Sequence, residues 1–276
     1  NINTPLFYYR MHENNLTKKE QNIINNKHKI LIKNNSEKTE NCIAVIPVRG
    51  ITYDTNSIDM SMICEKPLLD WTIDNLLESK QLKSIIVSTP DKKIQDHINS
   101  KNNERILCFE RKKTLANTNV ILDRSVKEVI HTYENRFNAK VDATVIIKTR
   151  CPFINFKHID NAINSLKIFD LDMVTGVKLE NNIFYTHNGN SMRPLRNIDV
   201  DQIKTEEGLI GIKIESEQIY LEAGNFIVTS DPLNMTENFK EAKIGHEILD
   251  EFSSFQIKSQ LDLEISQYVA KKFFLK

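Results

Sequence analysis

Residues able to handle a phosphate stand where apolar runs end. Arg49 and Gly50 follow Ile43-Ala44-Val45-Ile46-Pro47-Val48, and Ser88 and Thr89 close Ser84-Ile85-Ile86-Val87. Arg111 comes just after a short apolar run at 105–109, and Lys148 and Thr149 lie at the end of another at 143–148. Cations spread the charge of an anionic ligand, and a glycine lets backbone N–H groups approach it closely. Lys66, placed before Pro67, is a further cation that could reach such a ligand; the plainer reading is a surface lysine in the first turn of a helix.

To gather these side chains, the runs must be neighbouring strands of one sheet. The pattern predicts strands at 43–48, 84–88, 105–109 and 143–148, with a loop at 50–65 and a polar loop at 110–118. Helices are expected at 67–79, 91–100, 120–137 and 156–167. Further strands are read at 172–178, at 224–229 and, weakly, at 210–214. Residues 183–186 and 192–197 read as irregular or as a small hairpin, and helices at 236–240 and 260–273 finish the chain. Strands alternating with helices indicate βαβ units and a mostly parallel sheet, with binding at the C-terminal strand ends. Strand, basic turn, helix and strand make the first half of a nucleotide-binding α/β domain.

Bulk properties narrow the class. Lys+Arg and Asp+Glu are 37 each, so the chain lacks the basic excess of a nucleic-acid binder. Seven glycines in 276 residues leave few places for close backbone approach to a phosphate. Cys42, Cys64, Cys108 and Cys151 are far apart and read as free thiols in a reducing cytoplasm. No apolar run approaches the roughly 20 residues of a membrane span. His97, His131 and His158 fall at helical positions and read as structural or exposed. His246-Glu247 with Asp250 suggests a metal, but lacks the second histidine of a zinc motif. The sequence has neither a G-x-S-x-G nor a Walker A motif, which argues against a serine hydrolase or a P-loop NTPase.

From about Cys42 to the end, the order of segments resembles the cytidylyltransferases that activate sialic-type (nonulosonic) acids and related acidic sugars. The resemblance rests on Ile46-Pro47-Val48-Arg49-Gly50, Lys66-Pro67-Leu68-Leu69 and Val87-Ser88-Thr89-Pro90-Asp91. It continues through Phe109-Glu110-Arg111, Thr149 with Pro152, Arg193-Pro194-Leu195, Tyr220 to Asn225, and Leu261-Asp262-Leu263-Glu264. It implies a Rossmann-like three-layer α/β/α sandwich, CTP and an acidic sugar as substrates, CMP transfer with release of pyrophosphate, Mg²⁺ and a homodimer. By the same resemblance, Arg49 and Lys66 would be catalytic. Arg49, Gly50, Asn56, Ser88, Arg111 and Thr149 would bind the nucleotide, and Arg193, Glu222 and Asn225 the sugar.

The departures lie where the chemistry belongs. The family's turn carries further glycines and two lysines, whereas here Arg49-Gly50 leads into Ile51-Thr52-Tyr53-Asp54-Thr55-Asn56. Ile51 and Tyr53 obstruct close approach, and Asp54 opposes a phosphate's charge. The family's metal-holding Asp-x-Asp falls on Gln256-Ile257-Lys258, which offers an amide and a cation instead. Charge reversal at about 4 Å from a divalent ion turns several kcal/mol of attraction into repulsion. Asp262 fits a helix N-terminus better than a metal site. Lys148 stands where the family usually has Gln.

Residues 1–40 differ in composition. Tyr8-Tyr9-Arg10-Met11-His12-Glu13-Asn14-Asn15-Leu16-Thr17 resembles the closing segment of family 2 glycosyltransferases. The expectation is a tail and linker at 1–40, left from a preceding glycosyltransferase domain, and a cytidylyltransferase-like domain at 41–276. Two functional readings follow. One is CMP transfer to an acidic sugar in surface-glycan biosynthesis. The other is a catalytically inactive nucleotide-binding or dimerisation module beside a glycosyltransferase.

Overall fold

The computed structural model describes residues 41–52, 54–112, 114, 122–180, 184–194, 219–231 and 241–275. The expectations for 1–40, 210–214 and 236–240 lie outside the described residues. A seven-stranded sheet organises the rest, in the order 244–248, 173–180, 219–229, 143–147, 42–47, 82–89 and 106–110. Its centre is β1 (Cys42–Pro47), parallel to β4 (Leu82–Thr89) on one side and β6 (Ala143–Ile147) on the other. β5 (Ile106–Glu110) extends the parallel set beyond β4. β7 (Met173–Glu180) and β10 (Ile219–Thr229) enter from the other half, with β10 antiparallel to both β6 and β7. β11 (Ile244–Ile248) closes that edge, parallel to β7.

The continuous apolar character of β1 follows from its position, since both faces are covered. Ala44 and Ile46 face a layer that includes Leu69, Ile73 and Leu76 of α1 (Leu68–Glu78) and Ile159 and Ile163 of α4 (Phe156–Ile168). Ile43 and Val45 face Val126, Val129 and Tyr133 of α3 (Leu122–Phe137). Each such side chain, fully buried, contributes about 1.5–3 kcal/mol. Between β4 and β5 lies α2 (Lys92–Asn99), which begins where the Asp91 carboxylate accepts from Lys93 N. α1 ends where the Arg105 guanidinium donates to the carbonyls of Leu77, Ser79 and Leu82, satisfying acceptors that the helix leaves open.

The three-layer α/β arrangement is the one the sequence predicts, and the differences have local causes. β11 was read as no element at all: it is an edge strand with Ile244, His246 and Ile248 outward, so no apolar alternation marks it. β10 starts at Ile219 rather than Gly224. Its register shifts between Glu222 and Ile227, where Gly224 (φ +77°) and Asn225 (φ +52°) bulge out of the ladder. The loop at 50–65 contains half of a small antiparallel pair, β2 (Met62–Ile63) with β3 (Lys66–Pro67). The hairpin expected near 183–197 is β8 (Tyr185–His187) with β9 (Met192–Pro194). The last helix, α5 (Gln260–Val269), opens with a Ser259–Asp262 capping box and gives way to a π-helical turn at Ala270–Phe274. Among the described residues, no helix is long and apolar enough to cross a membrane.

Candidate functional site

The C-terminal ends of β1 and β6 open onto a cleft of about 220 Å³. Pro47, Arg49, Asp54, Asn56, Ser57, Ile58, Asp59, Arg111, Ser125, Lys148, Thr149 and Arg150 line it. Four of these are cations (Arg49, Arg111, Lys148, Arg150) and two are carboxylates (Asp54, Asp59), so the lining carries a net charge of 4 − 2 = +2. A parallel sheet delivers the strand ends, and loops supply the cations, as expected where ligands bind beyond the carboxyl ends of the strands of an open α/β sheet.

Arg111 is the most constrained of the four. It is 4% exposed, and its backbone N–H donates to Thr89 O at 3.0 Å, fixing it beyond the β4–β5 pair. The guanidinium folds back across the end of β4, with Nε donating to Ser88 Oγ at 3.3 Å and Nη2 to Ser88 O at 2.8 Å. Both partners are neutral, and among the described residues no carboxylate pairs with it. Burial, followed by the neighbouring Arg49 charge, pulls its pKa down to about 10 against a smaller upward pull from the carboxylates of Asp59 and Glu128. It therefore stays protonated near neutrality as a largely desolvated positive charge facing the cleft.

The loop after β1 is held by short contacts. Gly50 takes a positive φ of +76°, and a Cβ there would clash with the Asp91 carboxylate, so glycine is required for packing against the α2 N-terminus. Asp54 N–H donates to Gly50 O at 2.9 Å, and the Asp54 carboxylate accepts from Asn56 N at 3.0 Å and pairs with Arg49 at 3.6 Å. Thr149 Oγ1 donates to Asp59 Oδ1 at 2.6 Å, and Ser57 Oγ donates to Asp59 Oδ2 at 2.5 Å. Asp54, read from sequence as opposing a phosphate, is thus engaged with Arg49 rather than left free.

The second side of the site comes from the β10 bulge. Asn225 O accepts from Lys148 N at 3.0 Å, its Nδ2 donates to Cys151 Sγ at 3.3 Å, and its Oδ1 accepts from Gln256 Nε2 at 3.0 Å. Ile257 N donates to Arg150 O at 2.9 Å while Arg150 Nη1 donates to Ile257 O at 3.1 Å. Ile257 is buried beside that bridge, while Gln256 is half-buried and Lys258 exposed. Burial pushes the Cys151 thiol up to about 11, so it is no nucleophile near neutrality.

The remaining predicted residues fall in three places. Arg49, Asn56, Arg111 and Thr149 line the cleft. Gly50 and Ser88 support it from behind, and Asn225 adjoins it through Lys148. Lys66, Arg193 and Glu222 are not among the lining residues. Lys66 pairs with Asp74 at 2.5 Å and lies over the Trp71 ring, Arg193 Nε reaches Thr186 Oγ1 at 3.3 Å on the exposed hairpin, and Glu222 is exposed on β10. Sequence reasoning missed Arg150 and Asp59. The run Lys148-Thr149-Arg150 at a strand end was a usable signal for the first; nothing local marks Asp59, whose partner is ninety residues away.

A divalent cation, which the sequence resemblance implies, does not fit these residues. Asp54 is paired with Arg49, and Asp59 accepts two hydroxyls. Glu247 and Asp250 hold His158, whose Nδ1 and Nε2 lie 2.8 and 2.9 Å from their carboxylate oxygens. The sequence grouping of His246 with those two acids is thereby corrected, since His158 from α4 takes that place and His246 stacks on Tyr220. Among the described residues, no three His, Cys, Asp or Glu side chains are grouped to hold a metal ion.

Residues 59–264 match the family described as Cytidylyltransferase. No curated protein matches the chain. Solved structures with the same fold include 4-diphosphocytidyl-2C-methyl-D-erythritol synthase from Anaerococcus prevotii, with 13% identity, a TM-score of 0.59 and coverage of 85% of this chain and 97% of the other. CMP:2-keto-3-deoxy-manno-octonic acid synthetase complexed with CTP has 11% identity, a TM-score of 0.59 and coverage of 85% and 100%. The 2-C-methyl-D-erythritol 4-phosphate cytidylyltransferase of Francisella tularensis has 13% identity, a TM-score of 0.57 and coverage of 83% and 99%.

Proposed function

Because the chain belongs to the cytidylyltransferase family, we propose that its basic cleft binds a cytidine nucleotide and serves the transfer of CMP from CTP to an acidic sugar of nonulosonic type. The observation that carries this reading is Arg111, a buried guanidinium whose hydrogen-bond partners among the described residues are neutral, facing a cleft that also holds Arg49, Lys148 and Arg150. Desolvating a cation without an opposite charge is costly unless a ligand supplies that charge. A nucleotide's phosphates do so. The similar fold of a synthetase that is itself complexed with CTP supports the choice of nucleotide.

In this reading the sugar oxygen attacks the α-phosphorus in line. A new P–O bond forms, the bond to the β-phosphate oxygen breaks, and pyrophosphate leaves with the displaced electron pair. Such transfers are catalysed mainly by positioning and charge stabilisation. Arg111 and Arg49 would hold the phosphates against the β1 and β4 ends, and Lys148 and Arg150 would bear on the leaving side. Asn225, with Arg193 and Glu222 further along β9 and β10, would meet the sugar.

A second reading has its own observation. Gln256 and Lys258 stand where the sequence register calls for metal-binding carboxylates, and Gln256 is committed to Asn225. This favours a module that binds CMP or a CMP-sugar and does not make it. Calorimetric titration of CTP and CMP into the whole chain tests the shared premise: saturable binding is expected for both, and a folded protein that binds neither overturns it. Pyrophosphate release from CTP across a panel of acidic sugars then separates the two readings. Release points to transfer, and its absence with intact CMP binding points to the module.

A further inference from the structure

The cleft is built to neutralise phosphate charge with side chains alone. Its two carboxylates are engaged, Asp54 with Arg49 and Asp59 with Thr149 and Ser57. Its other three cations are not spent on carboxylates: Arg111 donates to Ser88, Arg150 donates to the carbonyls of Ile257 and Asn56, and the Lys148 side chain is exposed at the rim. Lys258 belongs to the same neighbourhood. Lys258 follows Ile257, whose backbone is bridged to Arg150, and Gln256 on the other side of Ile257 is tied to Asn225, whose carbonyl accepts from Lys148 N. The Lys258 charge also reaches the buried Cys151 thiol, next in sequence to Arg150. The Asp262 carboxylate accepts from Lys258 N at 2.9 Å and feels the Lys258 charge, but among the described residues no carboxylate forms an ion pair with the Lys258 ammonium itself.

We infer that nucleotide binding in this cleft is independent of a divalent cation, and that the ammonium groups of Lys258 and Lys148 supply the charge a metal ion would otherwise bring. This rests on the reading of the cleft as a cytidine-nucleotide site. An ammonium on a flexible stem is a point charge able to follow a phosphate, but unlike Mg²⁺ it fixes no octahedral geometry. A positive residue at 258 would also repel a divalent ion approaching the same place.

The test titrates CTP and CMP into the whole chain, once with excess Mg²⁺ and once with EDTA, for the wild type and for Lys258→Gln, Lys258→Arg and the double variant Gln256→Asp/Lys258→Asp. CMP serves as the probe that itself binds Mg²⁺ weakly. The expected wild-type affinity for CTP with Mg²⁺ equals that with EDTA or is weaker, because the metal cancels charge the lysines would meet. Lys258→Gln should weaken CTP about tenfold in EDTA, the equivalent of one charge-assisted contact, and Lys258→Arg should restore most of it. The double variant should become Mg²⁺-responsive. Wild-type binding that tightens tenfold or more with Mg²⁺ overturns the inference and leaves the nucleotide site standing. Unchanged CTP affinity in Lys258→Gln removes Lys258 from the site and overturns it as well. If neither nucleotide binds under either condition, the nucleotide reading falls together with this inference.

Discussion

Arg111 and His158 are both ionisable side chains withdrawn from solvent, and they are kept in opposite ways. His158 sits between two carboxylates, with Nδ1 2.8 Å from Glu247 and Nε2 2.9 Å from Asp250, and Asn161 donates to the same Glu247 oxygen at 3.0 Å. Arg111 has a serine hydroxyl and a carbonyl and no carboxylate among the described residues. The His158 cluster surrounds its imidazole with acids and ties α4 to the edge of the sheet. The Arg111 cluster leaves a charge standing at the strand ends. A fold that can surround a buried cation with acids at one place and does not at another marks the second for a ligand.

The sharpest test is to remove the unbalanced charge. Arg111→Met keeps much of the length and the apolar contact but loses the guanidinium. Contacts to charged groups contribute about 1.5–3 kcal/mol, so CMP or CTP affinity should fall about 10- to 100-fold by calorimetry. Thermal stability should stay level or rise, since a desolvated charge has been removed. A variant that unfolds more easily but binds normally would make Arg111 structural and erase the contrast.

His158→Gln should behave in the opposite sense, with affinity within twofold of the wild type and stability lower by about 2 kcal/mol. That figure is discounted from the cost of breaking a fully buried pair because Asp250 is half exposed. The pH dependence identifies the cause. Burial lowers the His158 pKa, but the hydrogen bonds and charges of Glu247 and Asp250 outweigh it and hold it above 6.5. A raised pKa stabilises the folded state fully below pH 6.5 and loses that contribution as pH rises through the folded value. Burial raises the Asp250 pKa, and the Ser253 N–H and His158 outweigh it to hold the group below 3.8. Its share is therefore present above pH 3.8 and lost as pH falls through the lower, folded value. Urea titrations should show the largest gap between wild type and His158→Gln between these limits, shrinking on the alkaline side. A gap that is constant with pH would mean that packing, not charge, is what His158 provides.

The two regions also differ in how far the sequence exposes them. The strands that deliver Arg49, Lys148 and Thr149 are buried on both faces, and the half-buried edge strand before Arg111 is still apolar, so these runs stand out against polar loops. The basic residues at their ends are visible for the same reason. The His158 partners are not visible, because Glu247 lies on an edge strand whose other residues face outward. Nor does a local pattern foretell the β10 bulge that presents Asn225, since a positive φ at a non-glycine residue arises from the whole sheet's register. Cleft contacts such as Asp59 with Thr149 join residues ninety positions apart and exist only once the sheet is closed.

Lys66 gives the finest test, because sequence position and geometry point different ways. Its place before Pro67 resembles a nucleotide-contacting lysine, yet the ammonium pairs with Asp74 on the next turns of α1 and lies 4.5 Å from the centre of the Trp71 ring. Asp74 is half exposed and the pair is solvent-screened, which limits its contribution to about 0.5 kcal/mol. The Trp71 contact contributes a similar amount at a partly exposed site. Lys66→Met should therefore lower stability by about 1 kcal/mol at most and change CTP affinity by less than about twofold. Measured beside Arg111→Met, it asks whether the cleft's own cations suffice. A tenfold loss of CTP affinity in Lys66→Met would mean that the ion pair with Asp74 opens when nucleotide arrives, and the cations that count would then extend beyond the strand ends to the start of α1.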